Sequence, residues 1–430
     1  MNIVVLCPHF APDMAPTGEV ITAITSRLAG RGHRIHVVTS LPWYRHHATE
    51  PGWDGQLVRH EDTAWGRITR VHPFPTDKTN IPARALAFGG FTVLSAIEGA
   101  LTSERPDVVL AMSPPLTLGV AGWAVARSRR APFVFNIQDV FPDVAVELGL
   151  LTNPQVIAVA RRLEVRTYRH ADAVTVLSDE LADNVRAKLA AAVPDRHRAE
   201  ALGRVHVIPN FVDTSAVIAE PAPGGAAYRA EYGLGDRTVV MYAGNVGFSQ
   251  SLDLVVEAAR RLRARSDVVF VINGGGSARE SLIAAAADLP NVVFVGMQPK
   301  ARLTEVLAAG DVHVVPLRRG LAASSVPSKL YSILAAGRPV VASVDPGTEV
   351  ERTVLRAGAG VAVPPDDADA FCDAVVAMVD DPAGRVVRGE AARRFVEGWM
   401  TPESVAVAYE SLFEGLIAER RRQPVGSARN

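Results

Sequence analysis

The sequence predicts an α/β protein of two Rossmann-like, doubly wound domains facing each other across a cleft. Three observations predict it. Short β-branched runs alternate with segments of helical period, the alternation restarts once near mid-chain, and a Pro/Gly stretch separates the two sets. A length of 430 residues leaves room for two large domains, and 48% apolar with 21% charged residues is enough to bury a core in each. The 45 Lys and Arg against 46 Asp and Glu give a net charge of −1, so no basic field recruits nucleic acid. An anionic ligand must be held by local groups.

The first set of strands is expected at Ile3–Leu6, Ile35–Val38, Val108–Ala111, Phe133–Phe135, Val174–Leu177 and Val205–Ile208. The second is expected at Val239–Tyr242, Val268–Ile272, Val292–Val295, Val312–Val315, Val340–Ala342 and Val361–Val363. Strands covered by helices on both faces read as continuous Val/Ile runs, as these do. After Pro209-Asn210, the segment Glu220-Pro-Ala-Pro-Gly-Gly225 breaks the period, which places the domains at 1–212 and 213–401. A closing helix over 402–420, with Val405, Ala408, Leu412, Leu416 and Ile417 as its apolar stripe, is expected to return to the first domain, and the polar end 423–430 to be disordered. In the second half Leu252, Val255, Val256, Ala259 and Leu262 form one helical face behind Ser251, a residue suited to an N-cap.

The uncharged stretch Val108 to Ala126 has the length of a bilayer span, but Pro114 and Pro115 divide it into strand, loop and helix. The chain runs from Met1 into a strand without the features of a signal peptide. Cys7 and Cys372 lie far apart with no partner at metal-ligand spacing. A cytoplasmic protein without a metal site is expected.

In parallel sheets ligands gather where loops leave the carboxyl ends of the strands. After the first strand comes a long loop, Cys7 to Gly18, whose Gly18 would let backbone approach a phosphate or would be a turn glycine only. It is not the G-x-G-x-x-G fingerprint, which argues against a nicotinamide enzyme. The second half opens the same way with Ala243-Gly-Asn-Val-Gly-Phe-Ser-Gln-Ser251, offering Gly244, Asn245 and Gly247. In Asn273-Gly-Gly-Gly276, Gly274 and Gly275 allow close packing or a bound base. The segment from Ser324 to Ala342 combines Ser325, Ser328 and Ser332 with Lys329 at a helix start, groups that would stabilise a diphosphate; a solvated surface lysine is the alternative.

These residues carry a resemblance. Leu28-Ala-Gly-Arg-Gly-His33, Asp139-Val-Phe-Pro-Asp143, Ile208-Pro-Asn-Phe-Val-Asp213, Ala243-Gly-Asn-Val-Gly247, and Ser328-Lys329 with Ala335-Ala-Gly-Arg-Pro-Val340 follow one another over roughly residues 1 to 420. In that order and spacing the chain resembles retaining glycosyltransferases of family four, with the GT-B fold. Within them it is similar to the branch of fucosamine transferases of bacterial surface-polysaccharide assembly. It departs from many members at the E-x7-E pair, where Ser324 and Ser332 stand, and at the Gly-Arg…Lys pattern, where Gly244-Asn245-Val246-Gly247 stands.

The resemblance implies transfer of a sugar from a nucleotide-diphosphate sugar, by default a UDP-sugar, with no cofactor and no metal. The acceptor would be a glycan or a polyprenyl-diphosphate-linked sugar. The leaving diphosphate would accept the acceptor's proton on the same face. The implied donor-binding residues are Gly18, Gly244, Asn245, Gly247, Gly274, Gly275, Arg318, with Arg319 as its alternate, Ser325, Ser328, Lys329 and Ser332. Thr17, Ser113 and Asp139 would bind the acceptor, and Lys329 and Asp139 would be catalytic, although Asp139 also suits a helix cap. Asn210 and Asp213 read as joint residues and His33 as structural.

Trp43 to His47, the segment Asn80 to Leu94, and Arg161, Arg162, Arg166 and Arg169 would let the first domain lie peripherally on the inner face of the cytoplasmic membrane. A core helix and a solvated face are the competing explanations. The 13 uncharged residues Ala85 to Ile97 are too few to span. Two rival functions remain: a nucleotide-sugar 2-epimerase using Asp139, Asp143, Glu147 and His9, and a non-catalytic nucleotide-sugar-binding protein.

Overall fold

A computed structural model of the chain describes all residues except 14, 45–47, 76–80, 103, 215, 220–224, 322–326, 328, 400 and 423–430. Ser324, Ser325 and Ser328, residues 45–47, Asn80 and the polar end, all singled out above, therefore lie outside the described residues. The chain divides into a first unit, Met1–Asn210 with Pro402–Asn430, and a second, Phe211–Thr401, so the boundary falls just before the expected 212.

The first unit is built on eight strands: β1 Asn2–Leu6, β2 Arg34–Ser40, β3 Val58–Thr63, β4 Gly66–Val71, β5 Val108–Ser113, β6 Phe133–Ile137, β7 Ala173–Val176 and β8 Val205–Val207. They lie in the order β3-β4-β2-β1-β5-β6-β7-β8, all parallel except β3 against β4. Six strands were expected and two more are found. The sequences Val-Arg-His-Glu-Asp-Thr and Gly-Arg-Ile-Thr-Arg-Val are mostly polar and carry no Val/Ile run; β3 is a partly exposed edge. Arg70 of β4 donates to Glu61 of β3 at 2.9 Å and fastens the hairpin.

The closing helix, Pro402–Arg422, belongs to this unit. Its buried face is Val405, Ala406, Tyr409 and Phe413, whereas the expected Ala408, Leu412, Leu416 and Ile417 are only half-buried. Two aromatic rings, larger than the alanine and leucines of the expected stripe, set its rotation. A chain of buried hydrogen bonds then crosses the unit. Asn136 donates to Tyr409 Oη at 2.7 Å and to Thr175 at 3.0 Å, Gln138 donates to Asn136 at 2.8 Å, and Asn210 donates to Gln138 at 3.0 Å. Asn210 thereby fixes the end of the unit. His33 pairs with Glu410 at 2.8 Å and with the N-terminal ammonium at 3.1 Å, a structural role.

The second unit holds β9 Thr238–Ala243, β10 Val268–Asn273, β11 Val292–Val295, β12 Val312–Pro316, β13 Val340–Ser343 and β14 Gly360–Val363, and these are the six expected runs. Their order, β11-β10-β9-β12-β13-β14, is wholly parallel. The sheet interior is Val, Ile, Met, Tyr and Phe with almost no exposure. The helix after β9 spans Asp253–Arg261 and its N-cap is Leu252, not Ser251. The Ser251 hydroxyl is drawn away by Asp366, to which it donates at 2.6 Å. Asp213 accepts from the Ala216 amide at 3.3 Å and closes a turn at the start of the unit.

Candidate active site

In a doubly wound sheet the strand order reverses at one point, and the loops on either side of it diverge to leave a crevice. In the second unit β9 and β12 flank that point. The residues after them come together there. Lys329 opens the helix Lys329–Ala335, and its Nζ donates to Tyr242 Oη at 2.7 Å and to Gln250 Oε1 at 2.9 Å. The ammonium also lies 4.2 Å from the centroid of the Tyr242 ring. Lys329 is half-exposed as a residue, but its charged end is enclosed by these groups, and burial pushes its pKa down from 10.5 to about 7. Among the described residues no carboxylate pairs with it. A lysine held without a carboxylate partner among the described residues has the chemistry to take an anion.

The loop after β9 is shaped to admit that lysine. Gly244 has φ +145, and a Cβ there would sit 3.3 Å from Lys329 Nζ. Tyr242 Oη donates to the Asn245 carbonyl at 2.5 Å, and burial raises the phenol pKa, so the hydroxyl stays a neutral donor. Asn245 is exposed, while Gly247 is buried with no room for a Cβ beside the Asn245 amide. The triplet Gly274–Gly276 resolves toward packing. Gly244 N donates to Asn273 O at 2.9 Å and Val246 N to Gly275 O at 2.9 Å, while Gly274 and Gly276, at φ +154 and +153, press on the carbonyls of Gly244 and Val246. Arg318 is exposed and lies along the same loop, donating to Phe248 O at 2.7 Å. Arg319 turns to Pro365 O at 3.0 Å. Ser332 is half-buried within the helix.

In the first unit the reversal lies between β1 and β5. Thr17 stands in the first turn of the helix Pro16–Gly30, Ser113 ends β5, and Asp139 follows β6, the neighbour of β5. All three rise from one end of the sheet. Asp139 does not cap the helix Asp143–Glu147, whose N-cap is Pro142. Gly18 lies in the first turn of its helix, and a Cβ there would come 2.8 Å from His9 Cβ, so the space on that side is filled by His9. Asp143 is committed to Lys188 at 2.6 Å and Asn184 at 3.1 Å, with Lys188 also 2.6 Å from the buried Glu164. That leaves it unsuited to the acid/base role an epimerase would ask of it.

The sequence singled out Lys329 and the glycines but passed over Tyr242 and Gln250. A Tyr at the end of an otherwise aliphatic strand and a Gln just before a helix were the available signals.

A glycosyl transferase 4-like domain model matches residues 17–211 and a glycosyl transferases group 1 model matches 237–381, one on each unit. The chain is a glycosyltransferase of the family-four type. It is 26% identical over 406 residues, 92% of its length and 97% of the other's, to a protein of Escherichia coli (strain K12) named for colanic acid biosynthesis glycosyl transfer. Among solved structures, sucrose-phosphate synthase of Thermosynechococcus elongatus superposes with TM-score 0.75 at 19% identity, over 97% of this glycosyltransferase and 100% of that chain. Anabaena HepE, determined with UDP-glucose, gives 0.66 at 14% identity over 96% and 100%. The two parallel-sheet units are those of the GT-B fold. Among the described residues, no helix is long and apolar enough to cross a membrane.

Proposed function

We propose that this glycosyltransferase moves a sugar, with retention at the anomeric carbon, from a UDP-sugar to a glycan or lipid-linked acceptor in bacterial surface-polysaccharide synthesis. The observation that carries the reading is the ammonium of Lys329 at the reversal point of the second sheet, which meets no carboxylate among the described residues. Charge grows on the diphosphate as the bond to the anomeric carbon breaks. A fixed cation in a dry site stabilises that charge mainly in the transition state. The acceptor's proton passes to a leaving phosphate oxygen on the same face. The named role of the Escherichia coli relative supports the polysaccharide setting, and the UDP-glucose bound to the Anabaena protein supports the donor class.

Peripheral attachment to the cytoplasmic membrane is part of the same reading. The helix Ile81–Ala100 buries Ala87, Phe91 and Ser95 but leaves Leu86, Val93 and Ile97 exposed, and Arg161, Arg162, Arg166 and Arg169 are exposed on the helix Pro154–His170.

Thermal unfolding with UDP, GDP, dTDP and ADP and their sugars tests the donor, on wild type and Lys329→Ala. A rise with uridine nucleotides that the variant loses is the expected result. A folded protein that shifts with none of them defeats the reading.

A further inference from the structure

The first unit's reversal point carries a side-chain pair that the reading so far does not use. His9 and Asp13 stand on the loop between β1 and the helix Pro16–Gly30, and His9 Nδ1 lies 2.6 Å from Asp13 Oδ2. Asp13 is 2% exposed and its other oxygen accepts from the Tyr44 amide at 3.1 Å. Both carboxylate oxygens therefore act as acceptors. In the neutral imidazole the hydrogen is then on Nδ1, and Nε2 presents a lone pair. Among the described residues nothing bonds to that Nε2, yet it is not sealed off from solvent as the unpartnered Nδ1 atoms of His36 and His313 are.

Much of the loop is spent on holding this ring. Ser40 Oγ donates to Pro8 O at 2.5 Å, and the buried Arg70 donates to Ala11 O at 2.5 Å and to Phe10 O at 3.4 Å. The ring stacks on Trp43 at 5.6 Å and meets Tyr44 edge-on at 5.3 Å. The missing side chain of Gly18 makes room for it. A fixed acceptor atom between flat apolar rings, with the Arg70 guanidinium occupied by Glu61 and backbone carbonyls, suits a sugar hydroxyl.

We propose that His9 Nε2 accepts a hydrogen bond from a hydroxyl of the acceptor sugar, with Asp13 as the positioning residue that keeps the imidazole in the required tautomer. This rests on the reading of the chain as a sugar transferase. The donor's sugar also carries hydroxyls, and the experiment separates the two.

Asp13→Asn is the informative variant. Its amide oxygen can keep the Tyr44 bond while its NH2 donates to Nδ1, which moves the ring hydrogen to Nε2 and turns the lone pair into a donor. Wild type, Asp13→Asn, His9→Ala and His9→Gln are compared by three readouts. Calorimetry measures UDP binding, UDP release from UDP-glucose and UDP-N-acetylglucosamine is followed in water alone, and the same release is followed with decyl glycosides and a bacterial lipid extract as acceptors. The histidine ring 15N spectrum reports the tautomer.

The expected result is a roughly tenfold rise in acceptor KM for His9→Ala and Asp13→Asn, with UDP affinity and release to water unchanged, a tautomer change in Asp13→Asn and partial recovery in His9→Gln. Equal acceptor stimulation in wild type and both variants overturns the proposal and leaves the transferase reading standing. Slowed release to water in the variants assigns His9 to the donor sugar and also overturns it. A wild type that neither binds UDP nor is stimulated by any acceptor defeats the transferase reading itself.

Discussion

The two sheets reverse their strand order in the same way, at β1 and β5 in the first unit and at β9 and β12 in the second, yet they hold opposite chemistry there. The second presents Lys329, a lysine that meets no carboxylate among the described residues; the first presents a carboxylate-oriented imidazole, His9 with Asp13. Topology fixes where a crevice opens, and the loop residues decide what it accepts. The glycines of the two loops differ as well. Gly18 makes room for a side chain of its own unit, whereas Gly244 makes room for the lysine that would meet the ligand.

Lys329→Ala should break the second site most severely, lowering turnover at saturating donor on the order of 10²-fold. Near-native turnover in a kinetic assay would remove this lysine from the chemistry. Its depressed pKa gives the comparison a pH axis. If diphosphate binding uses the ammonium as proposed, above about pH 7 binding must take up a proton, and UDP affinity should fall by up to about tenfold per pH unit. Calorimetry from pH 6 to 9 on wild type and Lys329→Met checks this, and a flat wild-type profile would contradict it. The same shift acts on folding with a definite sign. The unfolded chain keeps the lysine protonated up to 10.5, so stability contributed at this site rises with pH between about 7 and 10.5. Lys329→Met should therefore unfold at a higher temperature than wild type at pH 6.

A matched glycine pair sharpens the contrast. Gly18→Ala and Gly244→Ala should each cost about 1–3 kcal/mol, the first by crowding His9 and the second by backbone strain at φ +145. Only Gly244→Ala should weaken UDP binding. Denaturant unfolding paired with calorimetry separates them. The smallest expected effect is that of Tyr409→Phe, which leaves the buried Asn136 amide short of a partner, at about 1 kcal/mol and with UDP binding unchanged.

The second sheet was readable because its strands are covered on both faces and appear as Val-rich runs, from Val239 to Val363. The hairpin β3–β4 was not, because its residues are mostly polar and its charges face solvent or each other, as Arg70 and Glu61 do. The rotation of the closing helix depended on which partners the rings of Tyr409 and Phe413 find, and sequence period alone does not report partners. Lys329 was legible because an ammonium among hydroxyls at a helix start is chemically pointed. Tyr242 and Gln250 were missed because their roles exist only once strand, loop and helix converge. His9 entered only as a candidate of the rival epimerase and Asp13 not at all, because only the geometry brings the two together and shows which ring nitrogen is left open.

The chain leaves the first unit after Asn210 and comes back to it at Pro402, so the second unit is an insertion within the first. A stop codon near position 400 would thus remove no part of the domain just synthesised. It would strip Tyr409 and Phe413 from a domain whose other residues left the ribosome about two hundred residues earlier. On the ribosome the first unit must wait, incomplete along one helix, until residues 402–422 have been made, while Phe211–Thr401 has its whole sequence in hand and can fold ahead of it. Carboxy-terminal fusions and truncations should therefore be judged by what they do to the first unit, and the second is the piece to excise for separate expression.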